Sequence, residues 1–312
     1  MLVMDVMKSD GRVLSLQSHV VSGYVGNKSA TFPLQVLGLE VDAINSVQFS
    51  NHTGYAHFKG QVMNAQELDE LLEGLHLNGL SVGKYSHLLT GYIGSESFLK
   101  AVGKSVQVLK QDNPGMTYVC DPVMGDNGAM YVPAELLPIY RETIVPLADI
   151  ITPNQYEAEL LSEKKIETEA DVAAVLDWFH DKGVKTVVLS STDLGNAEQL
   201  IGIASTKEDE GSCTRLRIAM PRLPVNFTGT GDLFAALLLG WLFRSGHDLK
   251  MSVENTVATM QSILTATYAH AVATSSDAAG DKKLTPASLE LRLVQSLDCI
   301  REPRVVIKAT RI

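Results

Sequence analysis

Residues 117–162, TYVCDPVMGDNGAMYVPAELLPIYRETIVPLADIITPNQYEAELLS, decide the fold. Two short β-rich runs, Thr117–Cys120 and Asp149–Thr152, end on polar groups, Asp121-Pro122 and Thr152-Pro153-Asn154. The chain between them is long enough for a helix, and a further helix starts at Asn154. Strand, helix, strand at this spacing implies a crossover between parallel strands. In such sheets ligands bind at the carboxyl ends of the strands, which makes these polar residues the first functional candidates.

The alternation extends both ways. Toward the N-terminus, Arg12–Gln17 and Val41–Phe49 read as strands around the helical stretch Lys28–Leu37. Asn64–Leu77 reads as a helix with Leu68, Leu71, Leu72 and Leu75 on one face, followed by a strand at Ser86–Thr90. Toward the C-terminus, Thr186–Ser191 continues the series, ending on Ser190-Ser191. The order then changes: Gln199–Ser205 and Cys213–Met220 read as adjacent strands around the turn Lys207–Ser212. A helix from Gly231, a long helix Leu249–Thr274 and a last helix from Pro286 follow, with Val305–Ala309 as an edge strand. The expectation is an α/β fold with a mostly parallel central sheet and helices on both faces. Residues 12–312 form a single domain in this reading, residues 1–11 a disordered extension and Ser275–Lys283 a loop.

Composition narrows the function. The 312 residues carry 36 acidic and 26 basic side chains, a formal charge of −10, with no basic block. That argues against a nucleic-acid or anionic-membrane surface. It leaves room for a phosphate ligand, because helix N-termini bind phosphate through backbone N–H groups. Cys120, Cys213 and Cys299 are far apart, without disulfide or metal-ligand spacing, and read as reduced thiols of a cytosolic protein. The most apolar run, Leu233–Phe243, falls far short of the ~20 residues of a membrane span and reads as a buried helix.

Gly229-Thr230-Gly231-Asp232, running into Leu233-Phe234-Ala235-Ala236-Leu237, is the sharpest motif. Its glycines let backbone approach a ligand, and the helix start offers unpaired N–H groups to a phosphate whose charge grows during transfer. Taken alone, Asp232 reads equally well as a helix cap. A carboxylate beside a phosphate site is unfavourable unless it serves a purpose, and taking a proton from an attacking hydroxyl is one. In Asp121-Pro122-Val123-Met124-Gly125-Asp126, Asp121 and Asp126 offer hard oxygens suited to Mg²⁺, although alone the segment reads as an Asp-Pro turn. Asn154 and Glu157, three apart at a helix start, read either as a capping pair or as phosphate and metal contacts. His52, Thr53 and His57 share a glycine-containing loop that lines a pocket or turns the chain. Gly23-Tyr24-Val25-Gly26-Asn27 lacks the ending of a P-loop, no GxGxxG follows the first strand, and no GxSxG nucleophile elbow occurs.

Together and in this order, the three motifs resemble those of the ribokinase-like superfamily. Within it, five stretches resemble the pyridoxal kinases: RVLSLQSHVVSGYVGNKSATFPLQVLGLEVDAINSVQFSNHTGYAHFKGQ at 12–61, LTGY at 89–92, YVCDPVMGD at 118–126, PLADIITPNQYEAELLS at 146–162 and FTGTGDLFAALLL at 227–239. The resemblance runs from about Arg12 to the C-terminus. It implies a three-layer sandwich, ATP with Mg²⁺ or another divalent cation, and a monovalent cation such as K⁺. It implies phosphorylation of the 5′-hydroxymethyl group of pyridoxal, pyridoxine or pyridoxamine by a cytoplasmic homodimer. Carried over by residue, Asp232 resembles the general base and Gly229, Thr230 and Gly231 the anion hole. Ser18, Thr53, Val47, Phe49 and Tyr92 resemble the vitamer pocket. Asp121, Asn154, Glu157, Ser190, Ser191 and Thr230 resemble the ATP contacts, with Leu223, Pro224 and Val225 by the adenine. Asp121, Asp126, Thr152, Glu157 and Ser190 fall at or beside cation positions. Two departures are visible: Asp126–Met130 is several residues shorter than in animal members, and Ser190 replaces an expected threonine while keeping the hydroxyl.

Two other readings remain. A kinase for another hydroxymethyl heterocycle, such as hydroxymethylpyrimidine, would share most motifs but not the pocket of Ser18, Thr53 and Tyr92. A non-catalytic nucleotide- or B6-binding protein would gain little from a carboxylate at position 232.

Overall fold

The computed structural model describes residues 11–208, 210–275 and 284–312. The expected extension 1–11 therefore lies outside the described residues except for Gly11, and the expected loop Ser275–Lys283 except for Ser275.

The chain opens with β1 (Arg12–Val20), α1 (Asn27–Val36), β2 (Glu40–Phe49), β3 (Gly60–Val62) and α2 (Ala65–Leu77). Next come β4 (His87–Thr90), α3 (Glu96–Asp112), β5 (Thr117–Cys120), the short strands β6 (Gly125–Asp126) and β7 (Ala129–Met130), and α4 (Leu136–Ile139). β8 (Ile150–Ile151), α5 (Gln155–Ser162) and α6 (Glu169–Asp181) complete the alternating part. β9 (Thr186–Asn196), β10 (Gln199–Lys207) and β11 (Cys213–Pro221) then run consecutively, before α7 (Thr230–Ser245), α8 (Leu249–Thr274), α9 (Leu297–Arg301) and β12 (Thr310–Arg311).

Ten strands form one sheet in the order β12-β11-β10-β9-β8-β5-β4-β1-β2-β3. The six from β9 to β2 are parallel. The flanking strands β3, β10, β11 and β12 pair antiparallel. Alternate residues of the central strands serve opposite faces, as a pleat requires. Leu14, Leu88, Tyr118 and Val187 join a core with α3, α5 and α6, while Val13, Leu89, Val119 and Val188 join a second core with α1, α7 and α8. This is the ribokinase-like three-layer sandwich. Burial on both faces explains why β4, β5 and β8 read as apolar runs without alternation.

Several expectations need correction. Val305–Ala309 is not the edge strand; Thr310–Arg311 pairs with Arg217 and Leu216 instead. Glu254 on α8 diverts the earlier residues, accepting the Ala309 N–H and the Lys308 ammonium, each at 3.0 Å. The helix expected from Pro286 is one 3₁₀ turn, Pro286–Leu289, after which Glu290 is extended. Leu291 and Leu293 are both buried, and two apolar residues at i and i+2 point the same way only in extended chain. On α2, Leu68 is buried but Leu71 is exposed. The short segment Asp126–Met130 lies in the β6–β7 hairpin; Asn127 and Gly128 take the positive φ values, 49° and 79°, of its two-residue turn.

Candidate active site

Strand ends and two helix starts build one cleft. At the first helix start, Asn154 caps α5 with its side-chain oxygen on the Glu157 N–H at 2.9 Å. Glu157 Oε2 returns the bond to the Asn154 N–H at 3.0 Å, completing a capping box. Glu157 Oε1 accepts the Met124 N–H at 2.9 Å and Asn154 Nδ2 donates to the Gly125 carbonyl at 2.8 Å, tying the 121–126 segment to α5. The capping pair is thus present, with Glu157 buried at 4% exposure.

The second helix start differs. Gly229 is the N-cap of α7 at φ 81°, and no side chain caps the helix. A Cβ there would collide with the Tyr24 carbonyl oxygen, so glycine is required on both counts. Asp232 sits at N3, yet its Oδ2 accepts the Gly26 N–H of the glycine-rich loop at 2.8 Å. It is not a helix cap. The first amides of α7 carry no side-chain cap and start a helix whose residues from Leu233 to Leu242 are all buried.

Asp121 connects the two helix starts. Thr152 Oγ1 donates to its Oδ1 at 3.2 Å, while its Oδ2 is buried without a hydrogen-bond partner. That oxygen lies 3.3 Å from where a Cβ on Gly231 would stand. Burial, then the charges of Glu157 and Asp232, hold the Asp121 carboxyl well above its ordinary range. Burial also pushes Glu157 up to about 7, against the pull of three backbone N–H groups, and Asp232 up to about 6, against the Gly26 N–H. Three carboxylates raised together are a site short of positive charge. Among the described residues no three His, Cys, Asp or Glu side chains close around a metal position. The donor set fits a Mg²⁺ that arrives with nucleotide phosphates and takes one carboxylate from the protein.

The cleft encloses ≈ 790 Å³, and Asn154, Ser190, Ser191, Leu223, Val225 and Thr230 line it among the residues expected to meet ATP, together with Gly231 of the expected anion hole. Pro224 is exposed beside it. The Ser190 N–H bonds to the Pro153 carbonyl at 3.1 Å, tying the middle of β9 to the chain just past β8; the strand expected to end on Ser190-Ser191 runs on to Asn196, where it pairs with β10. Asp126 also lines the cleft, but its two oxygens accept Asn127 groups at 2.8 and 3.0 Å. Unforeseen in the sequence are Phe234 of α7 and Val257, Met260 and Leu264 of α8, an apolar wall for a flat ring. The spacing of 257, 260 and 264 marks one helix face and was the available signal.

The expected vitamer residues gather at the neighbouring strand ends. Ser18 pairs in register with Val47, and Val20 with Phe49, across β1 and β2. Ser46 Oγ donates to the Tyr92 carbonyl at 3.2 Å, drawing the end of β4 to the same place. Ser18 also packs against Gly26, the residue that holds Asp232. Thr53 is exposed in the loop beside buried His52. A Cβ on Gly54 would stand 3.6 Å from Thr228 Oγ1, so this loop borders the 229–232 turn. The second unforeseen group is Glu290, which reaches this loop from the C-terminal segment.

A cradle of free helix amides, a carboxylate of raised pKa beside it and an apolar slot define the site of a small-molecule kinase. A family model described as phosphomethylpyrimidine kinase matches residues 43–276. The chain belongs to the pyridoxal kinase family: it is 53% identical to the pyridoxal kinase of Bos taurus, covering 97% of this chain and 99% of the relative. The enzyme of Arabidopsis thaliana is 50% identical, with 96% of this chain and 94% of that one covered. Among solved structures, pyridoxal kinase from Leishmania donovani in complex with ADP and pyridoxamine superposes with a TM-score of 0.87 at 36% identity, over 97% of this chain and 100% of that chain. The complex of the same enzyme with ADP and pyridoxine gives 0.88.

Proposed function

We propose that this protein transfers the terminal phosphate of ATP to the 5′-hydroxymethyl group of pyridoxal, pyridoxine and pyridoxamine, with Asp232 as general base. The observation that carries the reading is the start of α7, where uncapped amides lie beside a carboxylate that caps nothing. The amides of Gly229, Thr230 and Gly231 would receive the phosphoryl oxygens as charge builds on them. Asp232, with its pKa pushed up to about 6, is anionic at neutral pH yet basic enough to take the hydroxyl proton. The Gly26 N–H would hold the carboxylate toward the acceptor. Ser18, Thr53, Val47, Phe49 and Tyr92 would bind the pyridine ring, and Ser190, Ser191, Leu223, Pro224 and Val225 the nucleotide.

Mg²⁺ would be held through Asp121 and the phosphates, supplying charge neutralisation during transfer. K⁺, by the same reading, would sit near Asp121, Thr152, Glu157 and Ser190, with Asp126 at the margin. Two features support cations here: the unpartnered Asp121 oxygen and the shared rise of the acidic groups. Residues 12–312 would act as one domain, since a single sheet runs from Arg12 to Arg311. A cytosolic homodimer is part of the proposal; exposed Val21, Phe58 and Val62 near β3 offer apolar surface for the contact. Among the described residues no helix is long and apolar enough to cross a membrane.

The test is product analysis of purified protein with ATP, Mg²⁺ and each vitamer, in K⁺ and in a bulky organic cation at equal ionic strength. The 5′-phosphates should form, and faster in K⁺. Turnover of hydroxymethylpyrimidine without any vitamer would overturn the substrate assignment, and no turnover of either would favour a binding protein.

A further inference from the structure

Glu290 belongs to none of the motifs, yet it ties together three segments at the vitamer end of the cleft. Its Oε2 accepts the Tyr24 N–H at 3.0 Å and its Oε1 the Tyr55 hydroxyl at 2.9 Å. His52 Nε2 stands 3.4 Å from the same Oε1. His52 Nδ1 accepts the Gly54 N–H at 3.1 Å, which leaves Nε2 to carry the proton toward Glu290. The side chain is 18% exposed. Burial alone would raise its pKa, but the His52, Tyr55 and Tyr24 donors outweigh it and hold the carboxyl below its ordinary value. Its own segment is anchored by buried Leu291 and Leu293, and by the Arg292 N–H on Thr267 Oγ1 of α8 at 3.2 Å.

Each tied segment leads to the chemistry. The Tyr24 carbonyl packs against Gly229, and two residues on the Gly26 N–H holds Asp232. Gly23, at φ 93°, has no side chain to keep the loop off the Glu290 carboxylate. On the other side, the rings of His52 and Tyr55 lie 4.7 Å apart and bracket Thr53 and Gly54.

We propose that Glu290 is a positioning residue: it clamps the Gly23–Gly26 loop to the His52–Tyr55 loop, so that the Gly26 N–H and Thr53 are set around the acceptor hydroxyl. The clamp acts on the vitamer half of the cleft and leaves the nucleotide half untouched. It rests on the reading of Asp232 as the base for a vitamer hydroxyl.

The experiment varies pyridoxal and ATP independently for wild type, Glu290→Ala, Glu290→Gln and Tyr55→Phe, with melting temperatures of each. Glu290→Ala should lower kcat/KM for pyridoxal by ~10²-fold, the scale of a misplaced reacting group, and leave the KM for ATP unchanged. Glu290→Gln should recover part of the loss, because its amide oxygen still accepts the Tyr24 N–H. Tyr55→Phe should raise the KM for pyridoxal only. A folded Glu290→Ala with wild-type pyridoxal kinetics, or with a loss confined to melting temperature or to the KM for ATP, overturns the proposal. If Glu290→Ala does not fold, wild-type pyridoxal kinetics in both Glu290→Gln and Tyr55→Phe overturn it. A wild-type enzyme that turns over no vitamer overturns the functional reading and the clamp with it; normal wild-type turnover with indifferent Glu290 variants overturns the clamp alone.

Discussion

The helices α5 and α7 both begin at the cleft, both carry an acidic residue at N3, and use it in opposite ways. Glu157 turns back to the N-cap of its own helix and meets the Asn154 side chain in a reciprocal box. Asp232 turns away from its helix, toward Gly26, and the N-cap is a glycine with no side chain to cap the first amides. The amides of α5 are spent on the scaffold, while those of α7 are left for a ligand. One helix start therefore fixes the 121–126 segment, and the other, on the proposed reading, would present a dipole end and uncapped donors to a phosphate. An acid at N3 says nothing about role until the partner of its carboxylate is known.

The strongest way to break this comparison is Asp232→Asn. The amide oxygen still accepts the Gly26 N–H, and α7 has no side-chain cap to lose, so folding and the KM for ATP should hold. Turnover should fall by ~10²–10⁴-fold, the usual contribution of a positioned base. In wild type, kcat/KM should rise with pH through an inflection at about 6, where Asp232 loses its proton, and this limb should vanish in the variant. A fully active Asn variant would erase the distinction between the two acids.

A second effect, of intermediate size, comes from Glu157. Its pKa rises on folding from 4.5 to about 7, so the folded chain binds more protons than the unfolded chain between those values. The favourable term is fully present below 4.5 and is lost as pH climbs through 7. For one buried group this amounts to ~3 kcal/mol, at 1.4 kcal/mol for each pH unit. Denaturant titrations of the ligand-free protein should show stability dropping between pH 5 and 7.5, and Glu157→Gln should make the drop shallower, the remainder coming from the raised Asp121 and Asp232. Equal slopes in the two proteins would mean that the box holds Glu157 ionised throughout.

The smallest effect sharpens the contrast. Asn154→Ala removes a cap and the bond to the Gly125 carbonyl, so stability should fall by about 1 kcal/mol, a common cost for such a cap. Because Asn154 also lines the cleft, the KM for ATP should rise, while kcat drops far less than in Asp232→Asn. A collapse of kcat instead would place α5 in the chemistry itself.

Local pattern determined much of this protein. Strand runs closing on Asp121 and Thr152 announce a parallel sheet and its ligand edge, because burial on both faces demands largely apolar strands and favours polar groups at their ends; Ser190, read as a strand end, proved to lie inside β9. Gly229-Thr230-Gly231-Asp232 announces a ligand turn, because its residues act through neighbouring backbone. What tertiary structure alone decided is every partner far away in the chain. The choice of Asp232 between cap and Gly26, 206 residues away, has no local signature. Nor does the pairing of Tyr24 with Glu290, 266 residues apart. The diversion of Ala309 to Glu254 moved an edge strand that local β-propensity placed too early. Propensity and periodicity describe a residue's own turn of helix or face of strand; a buried carboxylate takes whichever donors the finished fold brings to it.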